Sequence, residues 1–89
     1  MIELLGHTYQ LIRNDDCFNL NELTEKITEY FESYDYICGD YAYQKLRLKG
    51  FYESTNKKAT TINSITGLED YISSYCAYGA KIFLLKKDK

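Results

Sequence analysis

The sequence predicts an α+β fold: a single small domain with an antiparallel or mixed sheet of about five strands and two amphipathic helices, in the order ββαββαβ. Three observations carry this. Short apolar runs are bounded by turn residues, two stretches place apolar side chains at helical spacing behind capping signatures, and one long stretch alternates with a period of two.

Ile2–Leu5 and Tyr9–Ile12 are apolar runs across Gly6-His7-Thr8, which reads as a hairpin. Asn14-Asp15-Asp16 is a turn-rich loop. Asn19 stands three residues before Glu22, a capping box, and Leu20, Leu23, Ile27, Tyr30 and Phe31 then give one apolar helical face. The opposite face carries Glu22, Glu25, Glu29 and Glu32.

Tyr36–Cys38 reads as a short strand and Gly39-Asp40 as a turn or bulge. Tyr41–Tyr52 reads as one long strand. Tyr41, Tyr43, Lys45, Arg47, Lys49 and Phe51 fall on one face, with Ala42, Gln44, Leu46, Leu48, Gly50 and Tyr52 on the other. Glu53–Lys58 is a polar loop, expected to be mobile. Thr66–Glu69 forms a second capping box, and Leu68, Tyr71, Ile72, Tyr75 and Cys76 share a helical face that Gly79 ends. Lys81–Lys86 is the final strand.

With both helices on one side of the sheet, the expected core holds Leu11, Leu23, Ile27, Phe31, Ile37, Leu46, Leu48, Leu68, Ile72, Ile82 and Leu84. A ferredoxin-like arrangement fits this order, and the extra first strand leaves other layouts open.

Composition narrows the class. Eighty-nine residues support one core, so a single domain spans 1–89. Ten tyrosines and four phenylalanines, with no tryptophan, supply the large apolar surfaces a short chain needs. No stretch reaches the ~20 apolar residues of a membrane helix, and the first residues lack a basic start and a long apolar run. A cytosolic location without membrane contact is expected, and three widely spaced cysteines fit a reducing compartment.

The segment Tyr34-Asp-Tyr-Ile-Cys-Gly-Asp-Tyr-Ala-Tyr-Gln-Lys-Leu-Arg-Leu-Lys-Gly-Phe51 resembles the signature of the YutD-like family. Leu68-Glu-Asp-Tyr-Ile-Ser-Ser-Tyr-Cys-Ala-Tyr-Gly79 resembles that family's second block. The family comprises small uncharacterised cytosolic proteins of low-GC Gram-positive bacteria. The resemblance implies an independent α+β domain and brings no biochemical activity with it. Tyr41 and Ala42 depart from the family's usual tryptophan and glycine, and Ala80 lies where a further cysteine is common.

Charge is the clearest functional clue. Residues 19–40 carry six acids against Lys26, residues 41–58 carry five cations against Glu53, and residues 81–89 carry four lysines against Asp88. A basic strand face flanked by aromatics suits RNA or a ribonucleoprotein, and the final strand would enlarge it if it lay alongside. The binding residues expected on this reading are Tyr41, Tyr43, Lys45, Arg47, Lys49, Phe51, Lys57 and Lys58. Lys49-Gly50-Phe51-Tyr52 resembles the opening of the RNA-recognition-motif signature, but Glu53 stands where the second stacking aromatic belongs. The plainer alternative makes these cations a solvated face, with Arg47 paired to Asp35, Asp40 or a helix glutamate and the lysines guarding a sheet edge.

A second function class is a protein-interaction adaptor or homodimer using the acidic helix or exposed tyrosines. A third is a small enzyme around Asp35, Asp40 and Arg47, which would need those groups in one pocket. Five residues apart on a regular strand, the two aspartates face opposite ways unless Gly39 forms a bulge. His7 and the cysteines Cys17, Cys38 and Cys76 lack the close spacings of a zinc site, so neither a metal nor a cofactor is expected. No catalytic residue is assigned.

Overall fold

The computed structural model describes residues 2–42, 45–60, 63–75 and 81–88. Its elements are β1 (Ile2–Leu4), β2 (His7–Asn14), α1 (Leu20–Lys26), a 3-10 turn (Glu29–Phe31), β3 (Tyr36–Ala42), β4 (Lys45–Phe51), a 3-10 turn (Ile65–Gly67) leading into α2 (Leu68–Tyr75), and β5 (Lys81–Lys87). The five strands form one antiparallel sheet in the order β1-β2-β5-β3-β4. The expected fold class and element order hold. Cys76 and Gly79 lie outside the described residues.

Local chemistry sets the element ends. Leu5 and Gly6, with φ of 56° and 76°, make the β1–β2 turn, so His7 already belongs to the strand and pairs with Leu4. Asn19 caps α1 by accepting the Glu22 N–H at 3.1 Å. The helix stops at Lys26, because Ile27 turns extended (φ −72°, ψ 143°) and the chain resumes only as a 3-10 turn. One helix to Phe31 was expected; β-branched Ile27 and Thr28 lower helix propensity at the break.

The long strand Tyr41–Tyr52 is instead the meeting of two strands. Tyr36–Ala42 pairs with Lys45–Phe51 along an unbroken register, from Tyr36↔Phe51 to Ala42↔Lys45. No bulge interrupts Gly39. Its glycine is required because a Cβ there would stand 2.1 Å from the Phe83 ring, which β5 lays across it. Gly50 on β4 meets the Tyr34 ring in the same way, at 2.3 Å.

The helices lie on opposite faces of the sheet, which corrects the expectation of a single covered side. Leu4, Tyr9, Ile37, Leu46, Phe83 and Leu85 pack with Leu23 of α1, and with Phe18, Ile27 and Phe31. The alternate residues Tyr36, Cys38, Phe51, Ile82 and Leu84 pack beneath Ile65, Leu68, Tyr71 and Ile72 of the α2 layer. β3 and β5 are apolar on both faces, so one helix cannot cover them. The arrangement is also not ferredoxin-like, since β5 inserts between β2 and β3. Leu11, expected in the core, is 36 % exposed where the β2–β5 register shifts between Leu11 and Arg13.

The loop after β4 is tied down rather than loose. Asp35, itself buried, accepts the Glu53 N–H at 2.8 Å and the Asn56 Nδ2 at 3.0 Å. Tyr52 N–H donates to the Asn63 carbonyl and Ile65 N–H to that of Tyr52, closing the loop at its base. Among the described residues, no helix is long and apolar enough to cross a membrane.

Candidate functional site: the β4 edge

β4 is a terminal strand of the sheet, and its cations stand where an edge strand places them. Lys45, Arg47 and Lys49 share the face that α2 covers further along the strand. Lys45 is exposed. Lys49 is half-buried, its Nζ 5.4 Å from the centre of the Phe51 ring. Arg47 donates to Asp40 Oδ2 through Nε at 3.2 Å and Nη2 at 2.7 Å. The Asp40 side chain is 1 % exposed and that of Arg47 46 %, so the pair joins the sheet interior to its surface. Only one carboxylate oxygen is served by this contact. Among the described residues Asp40 Oδ1 is buried with no hydrogen-bond partner.

Of the aromatics expected beside these cations, Tyr41 lies on the opposite face and Phe51 is buried. Because Ala42 pairs with Lys45, counting by twos across the two intervening residues changes face, and Tyr41 stands beside Leu46. Tyr41 therefore points to the α1 side, where its hydroxyl donates to Glu22 Oε2 at 2.6 Å. Burial and then the Glu22 carboxylate push its pKa up to about 12. Phe51 is 0 % exposed and meets Tyr71 edge-on at 5.6 Å, so no base can stack on it. Tyr43 lies outside the described residues. The likeness of residues 49–52 to an RNA-binding signature thus loses its first aromatic as well.

Lys57 and Lys58 are exposed on the loop that follows β4. This loop leaves the strand at Phe51, the end remote from Lys45. The final strand does not enlarge it, because β3 separates β5 from β4. Lys86 of β5 instead lies 3.8 Å from Glu53 Oε1 and 5.9 Å from the Tyr36 ring centre. Glu53 also accepts from the Tyr36 hydroxyl; burial first, then this carboxylate, raises the Tyr36 pKa to about 12.

Asp35, Asp40 and Arg47 do not meet. Asp35 precedes β3 and Asp40 sits near its far end, about 17 Å away along extended chain. Arg47 bonds Asp40, while Asp35 holds the loop. A hollow of about 400 Å³ lies elsewhere, at the β1–β2 turn, lined by residues 3–8. Among the described residues no group of three or more His, Cys, Asp or Glu side chains gathers as a metal site would require.

An acidic and aromatic surface occupies the α1 side. Tyr30 is 68 % exposed, and its hydroxyl lies 2.9 Å from that of Tyr34, whose ring stacks on Tyr52 at 4.6 Å. The Tyr30 hydrogen bond, then burial, raises the Tyr34 pKa to about 12. Glu32 accepts from Lys87 Nζ through its carbonyl and faces His7 Nε2 at 3.5 Å. The edge position of β4 agrees with the plainer alternative drawn from the sequence, in which the lysines guard a sheet edge. The Lys-x-Arg-x-Lys alternation was its signal, since cations at alternate positions commonly mark a sheet edge.

Comparison with known proteins adds three findings. The family model of YutD-like proteins, described as "Putative antitoxin YutD-like", matches residues 3–86. A Bacillus subtilis (strain 168) protein described as "Putative antitoxin YutD" is 39 % identical over 88 residues, covering 98 % of this chain and 97 % of its own. The solution NMR structure of protein yutD from B. subtilis superposes with a TM-score of 0.81 at 38 % identity, over 100 % of this chain and 82 % of that one.

Proposed function

This chain belongs to the YutD-like family, and we propose that it is a non-enzymatic binding protein that acts by occupying an acidic protein partner. The observation that carries the reading is the gathering of Lys45, Arg47, Lys49, Lys57 and Lys58 on one sheet edge and its following loop, in a chain of formal net charge −2. Cations concentrated against the overall charge steer a complementary surface and set its orientation. The descriptions "Putative antitoxin YutD-like" for the family and "Putative antitoxin YutD" for the B. subtilis relative support a role in masking another molecule.

A protein partner is favoured over RNA because the aromatics needed for base stacking are engaged elsewhere: Tyr41 with Glu22 and Phe51 with Tyr71. Phosphate contact through the lysines alone would be sequence-blind and steeply salt-dependent. Affinity capture decides between these, using wild type and the Lys45→Glu, Lys49→Glu, Lys57→Glu, Lys58→Glu variant, with and without nuclease. A protein retained after nuclease by wild type and lost by the variant supports the reading. Partners that vanish with nuclease replace it with nucleic-acid binding, and partners indifferent to charge reversal overturn it.

A further inference from the structure

We infer that β4 binds its partner by strand addition: an extended acidic segment pairs along the outer edge, with carboxylates at alternate positions opposite Lys45 and Lys49. This rests on the reading above and specifies how the partner is held. β4 runs seven residues in unbroken register with β3, and no described strand lies beyond it. The backbone groups of Leu46, Leu48 and Gly50 face outward over about 13 Å, a short template for an incoming strand that ends at Tyr52, whose own groups bond Asn63 and Ile65. The opposite edge, β1, has three residues and offers far less.

The side chains choose the occupant. Lys45, Arg47 and Lys49 project from one face, and Leu46 and Leu48 from the other. A second copy is a poor fit. Two β4 strands paired antiparallel about Arg47 set Lys45 against Lys49 and Arg47 against itself, and pairing about Leu48 sets Arg47 against Lys49. Like charges directly opposite destabilise a strand pair, whereas carboxylates there stabilise it. Arg47 already shares its charge with Asp40, so Lys45 and Lys49, four residues apart on the same face, fix the register. Half-buried Leu48 on the other face favours an apolar residue between the acids. The recognised pattern is therefore acid, apolar, acid, apolar, acid in extended form.

The probe is a fluorescein-labelled synthetic peptide, Glu-Val-Glu-Val-Glu-Val-Glu, compared with an isomer whose four glutamates are consecutive and with a form N-methylated along one edge. Binding is followed by anisotropy, and hydrogen exchange is read at the β4 amides. The alternating peptide is expected to slow β4 exchange, and to bind about tenfold more weakly to the Lys45→Glu, Lys49→Glu variant. Equal binding by the N-methylated or consecutive-acid peptides overturns strand addition, as does β4 exchange left unchanged by the alternating peptide. If that happens while charge reversal still abolishes partner capture, only the mode of binding is refuted. Capture indifferent to charge reversal removes the surface itself.

Discussion

β3 and β4 are each seven residues long and pair position for position, yet the structure uses them differently. From Tyr36 to Asp40 every residue of β3 is buried, with strands on both sides and a helical layer over each face. Among the described residues β4 has a paired strand on one side only, and buried and exposed positions mix along it. Residues that look functional by type, such as Asp40 and Gly39, serve the interior on β3. Similar chemistry on β4 reaches solvent. A motif shared by both strands therefore reports structural constraint in its first half and an available surface in its second.

That contrast can be broken most directly at Gly39. Gly39→Ala is expected to lower stability by about 3 kcal/mol, read from the urea midpoint, because the fully buried Phe83 ring has nowhere to move. Phe83→Leu in the same background should recover part of the loss. An alanine tolerated without cost would mean that β3 is less constrained than its packing indicates.

Next in size is Arg47→Ala, which leaves Asp40 buried without the two donors it has from Arg47. Loss of a buried pair is often costlier, but half-exposed Arg47 is partly screened, so about 2 kcal/mol is expected in equilibrium unfolding. Asp40→Asn should cost less than Arg47→Ala, since it removes the buried charge rather than abandoning it.

Tyr41→Phe comes third, at about 1 kcal/mol, from loss of the hydrogen bond to Glu22. Its pH dependence is the sharper readout. Tyr34, Tyr36 and Tyr41 have folded pKa values raised to about 12 from an ordinary 10. The unfolded chain then loses these protons first, so their contribution is complete below pH 10 and fades as pH rises toward 12. Absorbance titration should show a tyrosine group ionising near pH 12, with one fewer member in Tyr41→Phe. The smallest effect belongs to Lys45→Glu with Lys49→Glu, expected to shift stability by less than about 0.5 kcal/mol. A large shift there would make the edge cations structural.

Much of the architecture was legible because local chemistry agreed with it. Asn19 caps the helix it was expected to cap, and the apolar face of Leu68, Tyr71 and Ile72 does meet the sheet. The placement of the helices was missed although a signal existed. Ile82-Phe83-Leu84-Leu85 is four consecutive apolar residues, the mark of a strand covered on both faces, and Tyr36-Ile37-Cys38 says the same of β3. Alternation continued past the end of β3 into β4, which hid the boundary between the two strands. The pairing of Ala42 with Lys45 is a tertiary fact that no count by twos contains. At the candidate site, the chemistry of Lys45 and Lys49 was readable from sequence. The burial of Phe51 was not, because it depends on a helix seventeen or more residues away.

The position of β5 has a consequence for how the chain comes to be folded. Until Lys81–Lys87 leaves the ribosome, the growing polypeptide can pair β1 with β2 and β3 with β4, but no strand links the two pairs into one sheet. Each presents a bare inner rim to the gap that β5 will fill. The sheet can therefore close only once β5 has emerged, and without β5 the inner rims of both strand pairs would stay unpaired.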